Sequence, residues 1–140
     1  MPQQDRGQYS PQEGTSIVGA WRVDVEGAPF VPHMVLFHAD GTLLIHNPDA
    51  GNPQTSDSLG VGAWKVALER PQSIIGVFEE IMADRETHQD AGRLRVAFTL
   101  TLDGTDKFRG PAEATYYAPD GTKLQDQVHQ ATLIGIRILP

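Results

Sequence analysis

Cysteine is absent from the chain. That absence removes disulfides, thiolate nucleophiles, iron–sulfur clusters and cysteine-based zinc sites together. Basic residues are scarce: 11 Lys and Arg stand against 18 Asp and Glu, for a formal net charge of -7. A surface of that sign repels phosphate backbones and anionic headgroups, so neither nucleic acid nor membrane is expected as a partner. No apolar run approaches the roughly 20 residues of a membrane helix. The stretch from Met1 to Ser16 is polar and lacks the apolar segment of a signal peptide. A cytoplasmic location is the expectation. Also missing are a Gly-rich phosphate loop, a Gly-x-Ser-x-Gly elbow, a His-Glu-x-x-His pair and a calcium loop. No metal and no cofactor is expected.

What remains is 140 residues, 39% of them hydrophobic, which suits one domain with one core. The 14 glycines and 10 prolines are many for a helical protein and ordinary for a meander of short strands. Residues 1–15 are expected to form a disordered tail, ahead of a single domain over residues 16–140. Ile17, Gly19, Trp21, Val23 and Val25 alternate with Arg22, Asp24 and Glu26, the period-2 pattern of a half-buried strand. Two apolar runs, Met34-Val35-Leu36-Phe37 and Leu43-Leu44-Ile45, flank Asp40-Gly41, which predicts a tight hairpin with a primed turn. Asp-Gly recurs at Asp103-Gly104 and Asp120-Gly121. Further strands are predicted near residues 61–68, 74–82, 94–102, 108–117 and 123–138, the last with a break around Gln130. Residues 47–58 form the longest irregular segment, and long loops in compact domains tend to be functional or mobile. About eight strands with short links predict an all-β fold: an antiparallel up-and-down barrel without exposed sheet edges. A barrel of that size holds side chains alone or one small ligand.

Gly19-Ala20-Trp21 resembles the opening motif of lipocalins and other calycins. The resemblance implies that Trp21 closes one end of the barrel and that Arg137, in Gly135-Ile136-Arg137-Ile138, packs across it. A guanidinium over an indole face gains cation–π attraction. The resemblance also implies binding of hydrophobic small molecules, as in short intracellular lipocalin-like proteins, some of which occur beside natural-product pathways. By size and architecture alone the chain is similar to small barrel cyclases as well.

The residues that could carry chemistry follow from the strand pattern. A two- or four-residue loop around Asp40-Gly41 puts His33, Val35 and Phe37 on one face with Leu44 and His46. His33 and His46 would then be diagonal neighbours, fit for acid–base work or for hydrogen-bonding the barrel rim. A three-residue loop would split the pair. If Phe78 and Met82 face the lumen, Glu80 joins them, and a carboxyl group among apolar neighbours has a raised pKa. Trp64, Phe37, Phe78, Phe98 and Tyr116 are the expected aromatic lining, and Gly110, Ala112 and Ala114 a strand of small side chains that leaves space beside it. His46 and Glu80 are the candidate catalytic groups; His33, Phe37, Trp64, Phe78 and Tyr116 the candidate ligand contacts; residues 47–58 a lid. A one-residue slip would bring Leu36, His38, Glu79, Glu113 and Tyr117 inside instead. The expected function is binding of a small hydrophobic or amphipathic molecule. The alternative is a cofactor-free cyclase, isomerase or dehydratase that works by acid–base chemistry and templating. A homodimer is left open.

Overall fold

The computed structural model describes residues 17–48 and 53–140. The tail expected over residues 1–15 and the middle of the proposed lid lie outside the described residues. The described chain is all-β and contains no helix. Its strands are β1 (Gly19–Glu26), β2 (Pro32–Phe37), β3 (Thr42–His46), β4 (Thr55–Asp57), β5 (Gly60–Ala67), β6 (Arg70–Asp84), β7 (Asp90–Asp103), β8 (Lys107–Tyr117) and β9 (Lys123–Arg137). Every pairing is antiparallel, and β6 pairs with β7 to close the sheet on itself. Eight strands make the barrel. The short β4 runs beside the far end of β6 beyond the start of β5, and at the step between them the Ser58 hydroxyl accepts from the Ile81 amide at 3.0 Å. The expected break at Gln130 does not occur, since Gln130 pairs with Glu113 inside a continuous β9.

Alternation sorts the side chains. Trp21 and Val23, Val35 and Phe37, Leu43 and Ile45, Ile74 and Phe78, and Val96 through Leu100 by twos are buried inside the barrel. Their neighbours Arg22, Leu36, Leu44, Ile75 and Arg95 face out. Each fully buried aliphatic or aromatic side chain contributes roughly 1.5–3 kcal/mol through burial.

One expectation about register needs correction. The β2–β3 turn has three residues, not two or four. His38 donates its amide to the Thr42 carbonyl at 2.9 Å, and Gly41 donates back to His38 at 3.0 Å. Gly41 alone takes a positive φ, 91°, so this is a turn closed by a left-handed glycine and not the primed turn the Asp-Gly pair suggests. Asp40 locks it by accepting from the Thr42 amide at 2.9 Å and hydroxyl at 2.6 Å. Met34 therefore stands opposite His46, and Val35 opposite Ile45. Leu44 and His46 point outward, and His33 points in. The turn at residues 118–122 repeats the same bonds, with Gly121 at φ 90°.

One end of the barrel is plugged by rings. Trp21 and Phe108 lie 4.7 Å apart, and Phe37 meets Trp64, Phe98 and Phe108 edge-on at 6.0, 6.4 and 6.1 Å. Trp21 is fully buried, and its indole N–H donates to the Ile17 carbonyl at 2.8 Å. Arg137 covers it, 4.4 Å from the ring centre, and spends its own donors on the Val18 and Thr105 carbonyls, both at 2.9 Å. A side chain at Gly19 would collide with that guanidinium, which explains the glycine of the Gly-x-Trp pattern. The expected clasp between Trp21 and Arg137 is present.

Candidate functional site

The other half of the barrel is hollow. A cavity of about 390 Å³ runs inward from the end where β1 joins β2 and β8 joins β9. That lies within the range of roughly 300–1,000 Å³ typical of small-molecule sites. Its deep wall is apolar: Val25, Ile45, Phe78, Leu94, Val96 and Leu133. The space exists because β8 and β9 present alanines there, Ala112, Ala114 and Ala131, where the plugged end has Phe108. Gly110, counted with them in the sequence, lies instead at the plugged end against the Thr99 carbonyl.

Two larger hollows, about 620 and 560 Å³, lie on the outer wall. The first spans Ala63, Val77, Ala97 and Pro111, with Lys65, Glu113 and Gln130 among its lining; the second runs past Arg22, Met34, His46 and Ile136. Both are more open to solvent than the lumen, which draws polar groups from five strands to its mouth and is the better candidate site.

Those groups are Glu80 on β6, Asp57 on β4, Tyr116 on β8, His129 on β9, His33 on β2 and Asn47 just past β3. Burial pushes the Glu80 carboxyl up to about 7, and the neighbouring Asp57 adds to the rise. Burial likewise raises the Tyr116 hydroxyl, helped by Asp57 and Glu80. His33 moves the other way: burial lowers it, the Val31 carbonyl bond opposes that, His46 lowers it further and Asp24 raises it. Its Nδ1 lies 3.0 Å from the Val31 carbonyl, so Nδ1 carries the hydrogen and Nε2 accepts from the Asn47 amide at 3.2 Å. His33 is thus a neutral imidazole with both nitrogens occupied. Glu80 and Tyr116 are different. Neither side chain has a hydrogen bond or ion pair among the described residues, although both are half-buried.

The structure brings four of the sequence-derived candidates, His33, Phe78, Glu80 and Tyr116, to the lumen wall. Phe37 and Trp64 also point inward, but they belong to the plug; the Trp64 indole donates to the His38 and Thr42 carbonyls at 3.0 and 3.1 Å. His46 is on the outer wall, because the three-residue turn reverses its face. Glu79, from the slipped register, is outside as well, paired with Arg95 at 2.6 Å and Arg93 at 3.5 Å. Glu113 is exposed and accepts from Gln130 at 2.9 Å. Sequence reasoning missed Asp57, Asn47 and His129. His129 had a signal, since it continues the inward alternation of Leu133 and Ala131 back along β9, and its ring meets Tyr116 edge-on at 6.0 Å. Asp57 and Asn47 sit in the irregular segment, where no periodicity speaks. No group of three or more His, Asp or Glu side chains among the described residues is placed to hold a metal.

No family model matches the chain, and no curated protein matches it by sequence. Among solved structures, that of EF1p2_mFAP2b bound to DFHBI is similar over 88% of this chain and 94% of its own, at 14% identity and a TM-score of 0.43.

Proposed function

We propose that this barrel holds a small hydrophobic or amphipathic molecule in the open half of its lumen, with His33, Phe78, Glu80 and Tyr116 among the contacts. The observation that carries this reading is the enclosed 390 Å³ cavity with Glu80 and Tyr116 unpaired at its mouth. The Trp21–Arg137 clasp supports a place among the calycins, whose habit is to hold such molecules. Ala114 gives the direct test, because it lies on the cavity wall in a half-buried position that a larger side chain can fill. Wild-type protein is expected to bind the neutral dye Nile red with a blue-shifted emission. Ala114→Leu should weaken that binding by about tenfold or more, a loss of about 1.4 kcal/mol, while the variant still melts cooperatively. Equal dye binding by a folded Ala114→Leu protein would place the dye elsewhere and end this reading.

Glu80 favours a second reading. A carboxyl group titrating near 7 exchanges protons readily at neutral pH, which suits general acid–base catalysis. The same pocket would then act as a cofactor-free cyclase, isomerase or dehydratase on a hydrophobic natural-product intermediate, with Glu80 transferring the proton. Turnover that survives Glu80→Gln would rule out that role.

A further inference from the structure

The polar groups of the lumen are lopsided in charge. Asp57 and Glu80 both line it, and among the described residues no Lys or Arg does. The two guanidiniums of β7, Arg93 and Arg95, both pair with Glu79 on the outside of the barrel. His33 cannot act as a cationic anchor, since its Nδ1 hydrogen goes to Val31 and its Nε2 to Asn47. An acidic ligand entering this space would find two carboxyl groups, a phenol and the His129 imidazole, but no lysine or arginine among the described residues. Burying such a charge unpaired is costly.

The reverse sign fits. Glu80 lies two residues along β6 from Met82, the cross-strand partner of Asp57, and alternation puts Glu80 and Met82 on one face. Both carboxyl groups therefore stand on the same side of the mouth, above the apolar wall of Phe78, Leu94 and Val96. We infer that the ligand of this lumen is a hydrophobic amine, whose apolar body fills the alanine-walled space and whose ammonium group sits between Glu80 and Asp57. This rests on the reading of the lumen as a binding site and names the ligand class for it. An ammonium donates hydrogen bonds only, so it suits Glu80, which has no hydrogen-bond partner among the described residues, and Asp57, which accepts there from the Thr55 hydroxyl at 2.9 Å. Charge-assisted bonds of this kind are about twice as strong as neutral ones.

Proton release accompanies binding. The groups that face Glu80 are Asp57 from β4, His33 from β2, Tyr116 from β8 and His129 from β9, and none brings a fixed positive charge. An incoming ammonium supplies that charge and drives Glu80 to its ionised form, so a proton leaves as the amine arrives. With Glu80 titrating at about 7, the release near neutral pH is about half a proton per ligand.

Three probes with one apolar body separate the possibilities: naphthylethylamine, naphthylethanol and naphthylacetate. Each is titrated into the full chain by calorimetry near neutral pH, in phosphate and in Tris, whose ionisation heats differ. The amine is expected to bind about tenfold tighter than the alcohol, and the acid most weakly. The apparent heat for the amine should differ between the two buffers by the amount proton release dictates. Glu80→Gln should lower the affinity for the amine by about tenfold, to that of the alcohol, and abolish the buffer dependence. If alcohol or acid binds as tightly as amine, the amine inference falls while the lumen remains a binding site. If no probe binds and Nile red is also ignored, both readings fail together.

Discussion

Glu80 ionises near 4.5 in an unfolded chain and near 7 in the barrel, because burial beside Asp57 disfavours its charge. Between those values the folded chain binds more protons than the unfolded one. The stability contributed by neutral Glu80 is complete below about 4.5 and is lost as pH rises through about 7. His33 works in the opposite sense: its pKa is lowered from 6.5, so its contribution is present above 6.5 and lost on acidification. The Glu80 effect is therefore read as a difference between proteins. Thermal melts of wild type and Glu80→Gln across neutral pH should diverge, with the variant gaining on wild type as pH rises. Parallel curves would show that the group is solvated like any surface glutamate. At the plugged end, Trp21→Ala removes a fully buried indole and should cost about 3–5 kcal/mol in denaturant unfolding. A variant as stable as wild type would mean that the Trp21–Arg137 clasp is ornamental.

Among the elements, the β2–β3 hairpin shows where sequence pattern suffices and where it stops. Alternation within each strand gave the inward set on β1, β6 and β8, including Trp21, Phe78, Glu80 and Tyr116. It could not relate β2 to β3, because that depends on the parity of the turn, and Asp-Gly is compatible with both parities. It also could not give depth. Phe37 and Trp64 point inward as Phe78 does, yet height along the axis decides which rings form the plug and which line the cavity, and height comes from the stagger of all eight strands. The turn makes its own prediction. Deleting Ala39 leaves Asp40-Gly41 as a two-residue connection between the same flanking pair, His38 and Thr42, so Val35 stays opposite Ile45 and His46 stays outside. Asp-Gly suits a primed turn of that length, so the deletion is expected to fold and to melt close to wild type. A deletion that unfolds the barrel would show that the three-residue turn itself is needed to hold this register.

For the whole molecule, closure of β6 on β7 makes the sheet a barrel, with β4 as an added strand beside β6 and the start of β9, before Thr132, running past the end of β1. The wall is uneven in its outer chemistry: Leu36, Leu44 and Val61 are cross-strand partners that face water at 43%, 37% and 58% exposure. The ring plug has a further consequence. With Trp21, Phe37 and Phe108 sealing one end, the lumen is a blind sac with a single door, framed by Phe30, Tyr116 and His129. A molecule held as proposed would leave by the way it came, apolar end last, past the half-exposed Phe30.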